Sequence, residues 1–291
     1  MPHFGVNTKA ELSKLLFVTT PEIDDVIQNR RRYYRNITRP KSDGSTRVLR
    51  VPDGNLKLLQ DKVRRHVLDQ IASLACVHGG VKGRSVTTNA KPHIAKRVVF
   101  TLDVENFFPS VDPTTVSTIF RALGFGGQAL NALVDATTWD NQLPQGAPTS
   151  VGLANLAMYR VDVRLSVLAR QQGFAYTRYI DDLALSGCRR LLDFRRLTQR
   201  IVEEEGFRVN AGKVKTMLAG TRQLVTGIIV NEKLNLPGEK RASIRADVFK
   251  IASSTSARSE IAVGRLHGRL AWLSSINPRQ ALQLQRRSVP G

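Results

Sequence analysis

The segment Phe174 to Ser186 alternates apolar and polar residues on both sides of Asp181-Asp182. A period of two belongs to an extended strand, and two such runs meeting across a short polar step read as a hairpin. The segment therefore predicts two strands joined by a tight turn, with two adjacent carboxylates carried on the bend. Aspartate favours turns in its own right, so the pair alone would say little. Set between apolar strands it constrains the chain further, because neighbouring like charges repel and something must offset them.

Around this hairpin the elements are mixed. The first 35 or so residues read as helical and polar, ending in the basic run Arg30-Arg31-Arg32. Lys41-Ser-Asp-Gly44 is a turn signal and Arg47-Val-Leu-Arg-Val51 alternates like a strand, which predicts a second hairpin. Asn55 to Leu74 has helical periodicity, with Asn55 as its cap. Val98-Val-Phe-Thr-Leu102 is a short β-rich run, read as a buried strand that ends at Asp103. Asp112-Pro113 opens a helix with the acid at the cap and proline in the first position. Ser150 to Gln171 reads as one long helix, Leu224 to Val230 as a strand, and the chain from Gly238 onward as helical. Strand and helix do not alternate regularly, so the predicted class is α+β rather than a doubly wound parallel fold. No repeat or low-complexity linker interrupts the chain.

Three features converge on one chemistry. Asp103 follows a buried strand in Phe100-Thr-Leu-Asp-Val-Glu-Asn-Phe-Phe-Pro-Ser110; Asp181-Asp182 sits in Tyr179-Ile-Asp-Asp-Leu183; and Leu143-Pro-Gln-Gly-Ala-Pro-Thr-Ser150 is a Pro/Gly loop opening the long helix. Hard divalent cations remove the cost of gathered carboxylates, and magnesium prefers carboxylate and phosphate oxygens. Two such ions roughly 4 Å apart activate an attacking hydroxyl and stabilise a leaving oxygen, the usual solution for nucleotidyl transfer. Glu105 is close in sequence but is taken as lying outside the metal set.

The composition agrees with a nucleic-acid partner. The 291 residues include 44 Lys and Arg against 24 Asp and Glu, a net charge of +20 spread along the chain rather than gathered in a tail. A folded protein this positive repels itself, and a polyanion is the natural counterpart. A membrane fits poorly, since no stretch approaches the roughly 20 apolar residues of a spanning helix. Two cysteines, Cys76 and Cys188, support neither a disulfide framework nor a zinc site. Residues 1 to 10 carry no secretion signal, so a cytoplasmic protein is expected.

Taken together, these segments resemble the reverse transcriptases. Tyr179-Ile-Asp-Asp182 is similar to their catalytic turn, Asp103 with Phe107-Phe108 to their first palm motif, and Leu143-Pro-Gln-Gly146 to their nucleotide-pocket motif. The match runs in order from about Lys41 to Val230. Asn89-Ala-Lys-Pro-His93 and Val225-Thr-Gly227 resemble two signatures of the bacterial retron enzymes. The sequence departs at Val151, where many relatives have proline, and at Asn210-Ala-Gly-Lys-Val-Lys-Thr216, where Lys213 or Lys215 fills the family's lysine position, Lys213 being preferred.

The resemblance implies a right-hand fold with fingers within residues 1–100, palm within 101–220 and thumb within 221–291. It implies that Asp103, Asp181 and Asp182 hold two Mg2+ ions, with the Val104 carbonyl as a further ligand. Phe108 would exclude a 2′-hydroxyl, Gln145 and Gly146 would meet the incoming deoxynucleoside triphosphate, and Lys213 would contact the same nucleotide. Lys41, Arg47 and Arg97, placed on the fingers hairpin, are candidates for the triphosphate, each equally readable as a solvated surface charge. One of Phe107 and Phe108 should be core, since neighbouring strand-like positions face opposite ways. Asn89, His93, Val225, Thr226 and Gly227 would engage a cognate noncoding RNA, although His93 also reads as a structural histidine.

The C-terminal helix adds a reading of its own. Val263, Leu266, Leu270 and Leu273 form an apolar stripe, with Arg258, Arg265 and Arg269 opposite and no acidic partners on that side, which suits contact with a duplex backbone. The retron resemblance implies a cognate noncoding RNA and its covalent RNA–DNA product as partners, a separate effector protein, a role in defence against phage, and a host RNase H to remove template. The rivals are another bacterial reverse transcriptase, a catalytically silent RNA-binding scaffold, and a basic RNA chaperone; the last leaves the order of the three motifs unexplained.

Overall fold

The computed structural model describes residues 2–40, 44, 46–253 and 260–288. The chain begins with two short helices, α1 (Lys9–Leu16) and α2 (Thr20–Gln28). Each opens on a reciprocal capping box, Thr8 with Glu11 and Thr19 with Glu22, so two otherwise unpaired amides are satisfied at each start. A 3₁₀ turn carries the basic run Arg30–Tyr33 into β1 (Tyr34–Pro40), which pairs antiparallel with β2 (Thr46–Pro52) from Tyr34 opposite Pro52 to Pro40 opposite Thr46. This is the predicted hairpin.

Helix α3 (Gly54–His66) is shorter than expected and is capped by Asp53, not Asn55. Val67 leaves helical geometry at ψ −64° with φ −120°, and only a 3₁₀ turn, Leu68–Gln70, follows. After α4 (Val86–Ala90) comes β3 (Val98–Asp103), the predicted buried strand. Asp112 caps α5 (Pro113–Ala122), as read from Asp112-Pro113, and α6 (Gly127–Thr137) follows. The expected single helix from Ser150 to Gln171 is instead two, α7 (Ser150–Ala157) and α8 (Tyr159–Gln172), because Met158 sits at ψ 0° and ends the first hydrogen-bond ladder.

A four-stranded antiparallel sheet forms the centre, in the order β4 (Ala175–Tyr179), β5 (Asp182–Gly187), β3, β6 (Lys215–Leu218), with α9 (Leu191–Glu204) between β5 and β6. Its two faces feed two cores. Val98, Phe100 and Leu102 of β3 with Leu183 and Leu185 of β5 enter the larger core, which reaches from Val6 to Phe207. Val99 and Ala184, one step out of phase, enter a second core with Ile244, Leu266 and Leu270. The period of two thus explains why β3 is a continuous apolar run: both of its faces are covered.

The second core is closed by a small hairpin, β7 (Leu224–Val225) and β8 (Ile228–Ile229), and by α10 (Gly238–Ser253), α11 (Glu260–Ile276) and α12 (Pro278–Ser288). The single strand expected over Leu224 to Val230 is therefore a hairpin. Thr226 and Gly227 have φ of 48° and 77°, the two positive values of a type I′ turn, and the chain reverses there. Leu266, Leu270 and Leu273 of the apolar stripe are buried and Val263 is half-buried. No helix among the described residues is long and apolar enough to cross a membrane.

The larger core encloses an ion pair. Arg178 and Asp162 are fully buried, joined by bonds of 2.8 and 2.6 Å from the guanidinium to the two carboxylate oxygens. Tyr176 donates its hydroxyl to the same carboxylate at 2.8 Å. Removing one member leaves the other buried and uncompensated. Asp162→Ala is expected to destabilise the protein by about 3–5 kcal/mol, measured by urea unfolding; a loss under about 1 kcal/mol, the size of a surface pair, would show that water reaches Arg178.

Candidate active site

Register builds the site. Asp103 ends β3 and Asp182 begins β5, and the two are direct cross-strand partners. Val104, just past β3, donates its amide to the Asp181 carbonyl at 3.0 Å, and Asn210 donates its amide to the Asp103 carbonyl at 2.9 Å. All three expected carboxylates therefore meet at one end of the sheet. Residues directly opposed across a sheet have Cβ atoms about 5 Å apart, where like charges destabilise. The strain in the turn is visible at Ile180, whose φ of 60° costs a β-branched residue on the order of 1–3 kcal/mol.

The electrostatics follow from that geometry. Crowding by protein atoms, then the carboxylates of Asp181 and Asp103, push Asp182 up to about 7, although one side of the residue faces solvent. Lys213 partly offsets the excess charge: its ammonium donates to both oxygens of Asp103, at 2.9 and 3.0 Å. That bond, ahead of any other cause, raises the lysine above its ordinary value. Lys213 rather than Lys215 is thus the lysine at the carboxylates. Lys215 opens β6 opposite Thr101, and its charge acts on Asp182.

Asp103 and Asp181 open onto a cleft of ≈ 570 Å³, and Asp182 stands beside them at the strand end without lining it. Val104, Phe107, Phe108, Gln145 and Lys213 also line it, as does Arg50 from the β1–β2 hairpin. Phe107 is the core member of its pair, 3% exposed and packed on Phe207, while Phe108 is half-buried at the cleft. Gly146 has φ of 108°, and a Cβ there would stand 3.1 Å from Val51 of β2, so only glycine lets this loop lie against the hairpin. Gln145 Oε1 is buried and has no hydrogen-bond partner among the described residues. Glu105 lines the cleft but turns its carboxylate to Arg208, 3.8 Å away.

The expected phosphate-binding cations fare differently. Arg97 is exposed and stands one residue before β3. At about 3.3 Å per residue it lies roughly 20 Å from Asp103, at the wrong end of the strand and not on the hairpin. Arg47 lies in β2 opposite Arg39, and Lys41 falls outside the described residues. The residue that sequence reading missed is Arg50. Its guanidinium stacks 5.5 Å over Trp139 and pairs with Asp140 at 3.2 Å. The available signal was its place two steps from Val48 and four from Thr46, which also line the cleft.

The two retron signatures meet, though as architecture. Asn89 is buried and donates Nδ2 to Thr226 Oγ1 at 2.8 Å, bracing a β-branched residue in the positive-φ turn. Val225 is buried in the second core. His93 is fully buried between Ser186 Oγ and Thr177 Oγ1, each at 2.7 Å. Thr177 spends its hydroxyl proton on the Asn89 carbonyl, 3.2 Å away, so His93 Nε2 donates to Thr177 and Nδ1 accepts from Ser186. The expectation that Asn89, His93 and Val225 touch RNA is therefore corrected, and the structural alternative for His93 is the one that fits: all three side chains are buried inside the protein. Thr226 and Gly227 keep part of their surface exposed.

On α11, Arg265 is exposed, whereas Arg269 pairs with Asp247 and donates to Ser243 Oγ at 2.8 Å, so that face does have an acidic partner. Arg258 lies outside the described residues. Among the described residues no three acidic, histidine or cysteine side chains form a ready-made metal cluster. The donors at the sheet end are nevertheless all carboxylate oxygens, which suits a hard divalent cation. Lys213 stands on Asp103 where such a cation would take its place.

Carboxylates gathered at a strand end of an antiparallel sheet are the arrangement expected of a nucleic-acid polymerase. The reverse transcriptase (RNA-dependent DNA polymerase) family matches residues 39–254, and the chain belongs to that family, on its retron branch. It is 38% identical to the retron Mx65 reverse transcriptase of Myxococcus xanthus, over 90% of this chain and 66% of that one. It is 33% identical to the Mx162 enzyme of the same organism, over 84% and 58%. Against the retron Ec86 reverse transcriptase of Escherichia coli it is 31% identical, over 96% and 88%. The chain thus spans about three-fifths to two-thirds of the length of the two Myxococcus relatives.

Burial holds His93 down at about 3, with the charges of Lys96 and His78 adding to the effect. Its ordinary value is 6.5, so the unfolded chain takes up a proton there that the folded chain refuses. The sign is that stability is complete above pH 6.5 and falls as pH drops toward 3, by up to about 1.4 kcal/mol per pH unit. His93→Gln should flatten the fall between pH 6.5 and 4.5 in urea melts; parallel curves for both proteins would contradict the neutral buried ring.

Proposed function

We propose that this chain is an RNA-directed DNA polymerase that copies a cognate structured noncoding RNA into single-stranded DNA joined to that RNA. The observation that carries the reading is that Asp103 and Asp181 line a cleft shared with Phe108, Gln145 and Arg50, with Asp182 paired directly opposite Asp103 at the same end of the sheet. Phosphoryl transfer needs positioning and charge stabilisation more than covalent chemistry from the protein. Asp103, Asp181 and Asp182, with the Val104 carbonyl, would hold two Mg2+ ions. When bound, these supply activation of the attacking hydroxyl and stabilisation of the leaving oxygen.

The chain's own residues do the rest. Phe108 closes the floor of the cleft against a 2′-hydroxyl, and steric rejection discriminates where a lost contact would not. Gln145 offers its unpaired buried oxygen to the incoming nucleotide, and Gly146 keeps the loop close to the hairpin. Arg50 is a cation placed for the triphosphate, and Lys213, released from Asp103, is a second. Thr226, Gly227 and Arg265 remain available to RNA. In this reading fingers, palm and thumb fall within residues 1–100, 101–220 and 221–291. The product is initiated from a 2′-hydroxyl of the RNA, a host RNase H trims the template, and the complex serves phage defence in the cytoplasm with a separate effector protein. The likeness to retron reverse transcriptases supports the polymerase part of this reading.

The gene expressed with its flanking DNA should yield a discrete single-stranded DNA joined to RNA through a link that debranching enzyme cuts, and Asp181→Asn/Asp182→Asn should abolish it. Absence of that DNA, with purified protein still extending a primed RNA template, would move the chain to another reverse transcriptase type. Absence of both would leave an RNA-binding scaffold.

Phe108→Ala should raise ribonucleotide relative to deoxynucleotide incorporation by at least roughly tenfold, the effect of about 1.4 kcal/mol of lost rejection. Unchanged discrimination in single-nucleotide extension would remove Phe108 from that role.

A further inference from the structure

Behind the Asp181-Asp182 turn lies a set of polar groups that the proposed chemistry does not use. Two of the three nitrogens of the Arg178 guanidinium are engaged by Asp162; the third, Nη1, turns the other way. It donates to the Ile180 carbonyl at 2.8 Å and to Asn155 Oδ1 at 2.9 Å. Asn155 in turn donates Nδ2 to the Gly79 carbonyl at 2.9 Å. The segment around Gly79 is locked alongside β4, with the Arg178 amide on the Cys76 carbonyl at 2.7 Å and the His78 amide on the Arg178 carbonyl at 2.8 Å. Gly79 lies so close beneath the turn that a Cβ there would stand 2.5 Å from both Ile180 N and Cγ1.

Two facts give this network a direction. Ile180 occupies a positive φ that its side chain disfavours, so the turn does not keep its shape by local preference. Asn155 belongs to α7, the helix opened by the Leu143 to Ser150 loop that places Gln145 in the cleft. A continuous run of hydrogen bonds therefore links that helix, through Asn155 and Arg178, to the peptide that carries Asp181. We propose that Asn155 and Arg178 are positioning residues that hold the Ile180–Asp181 peptide in its unfavourable conformation and tie it to the nucleotide-pocket helix. The proposal rests on the polymerase reading for its effect on catalysis, though the clamp itself is a property of the apo protein.

Arg178 is a poor place to test this, because its loss strands Asp162 in the core. Asn155 is half-buried on the wall of a second cavity of ≈ 800 Å³, so Asn155→Ala leaves the Arg178–Asp162 pair intact and opens only onto existing space. The wild-type protein, Asn155→Ala, Ile180→Gly and the double variant would be compared in two measurements. One is steady-state extension of a DNA primer on an RNA template; the other is amide hydrogen exchange in metal-free buffer at Val104, whose N–H bonds the Asp181 carbonyl.

Asn155→Ala should lower kcat by roughly tenfold to a hundredfold, the loss of one charge-assisted bond. The deoxynucleotide KM should move much less, and Val104 exchange should quicken by more than the change in global unfolding free energy measured in parallel accounts for. Glycine adopts positive φ freely. In the Ile180→Gly background, adding Asn155→Ala should therefore cost clearly less than it does in the wild type, a coupling that general packing damage would not produce. Unchanged exchange at Val104 in Asn155→Ala, or equal losses of kcat in both backgrounds, would overturn the proposal. A wild-type protein that extends no template would instead sink the polymerase reading, and the exchange result would still judge the clamp.

Discussion

The buried pair of Arg178 and Asp162 is the interaction on which the working end of the molecule depends. It joins β4 to α8, takes the Tyr176 hydroxyl, and leaves one guanidinium nitrogen to reach the Ile180 carbonyl. A buried charge is costly unless every donor is matched, and here the matching groups come from three separate segments. That requirement specifies where the segments lie with respect to one another more sharply than apolar packing could. Hydrophobic burial supplies most of the stability, but it tolerates small shifts that a fully matched guanidinium does not.

The sheet register does the complementary work at the front. With Asp103 opposite Asp182 and Val104 bonded to the Asp181 carbonyl, antiparallel pairing alone gathers three carboxylates. A slip of one residue would turn each of them to the other face and exchange the two cores. Such a slip is opposed by Val98, Phe100 and Leu102, which must all enter the larger core, and by Val99, which must enter the smaller. Repulsion among the acids is thus tolerated because the apolar faces fix the register. Lys213 relieves it in part, and Asp182 stays raised by burial first and by its two acidic neighbours second.

Much of this was legible in the chain. The alternation around Asp181-Asp182, the apolar run before Asp103 and the Asp112-Pro113 start each reflect a local rule, and each element formed where the rule placed it. The misreadings share a cause. Ser150 to Gln171 is periodic throughout, yet Met158 breaks it because α7 and α8 answer to different neighbours. Arg269 looked unpartnered because Asp247 is on another helix. Asn89 read as a recognition residue, and His93 could be read either way, because a short polar motif has the same letters whether it faces solvent or a buried turn.

The sequence by itself determined the periodicities, the caps, the positive charge and the order of the carboxylate motifs, since these depend on neighbours within a few residues. Only the tertiary structure decided that Arg97 lies at the far end of β3, that Arg50 faces the cleft, that Lys213 rather than Lys215 meets Asp103, and that Asn89 braces Thr226 across 137 positions. Those outcomes turn on which groups must share a buried space without leaving a donor or a charge unmatched. That condition binds residues distant in sequence, and no local pattern records it.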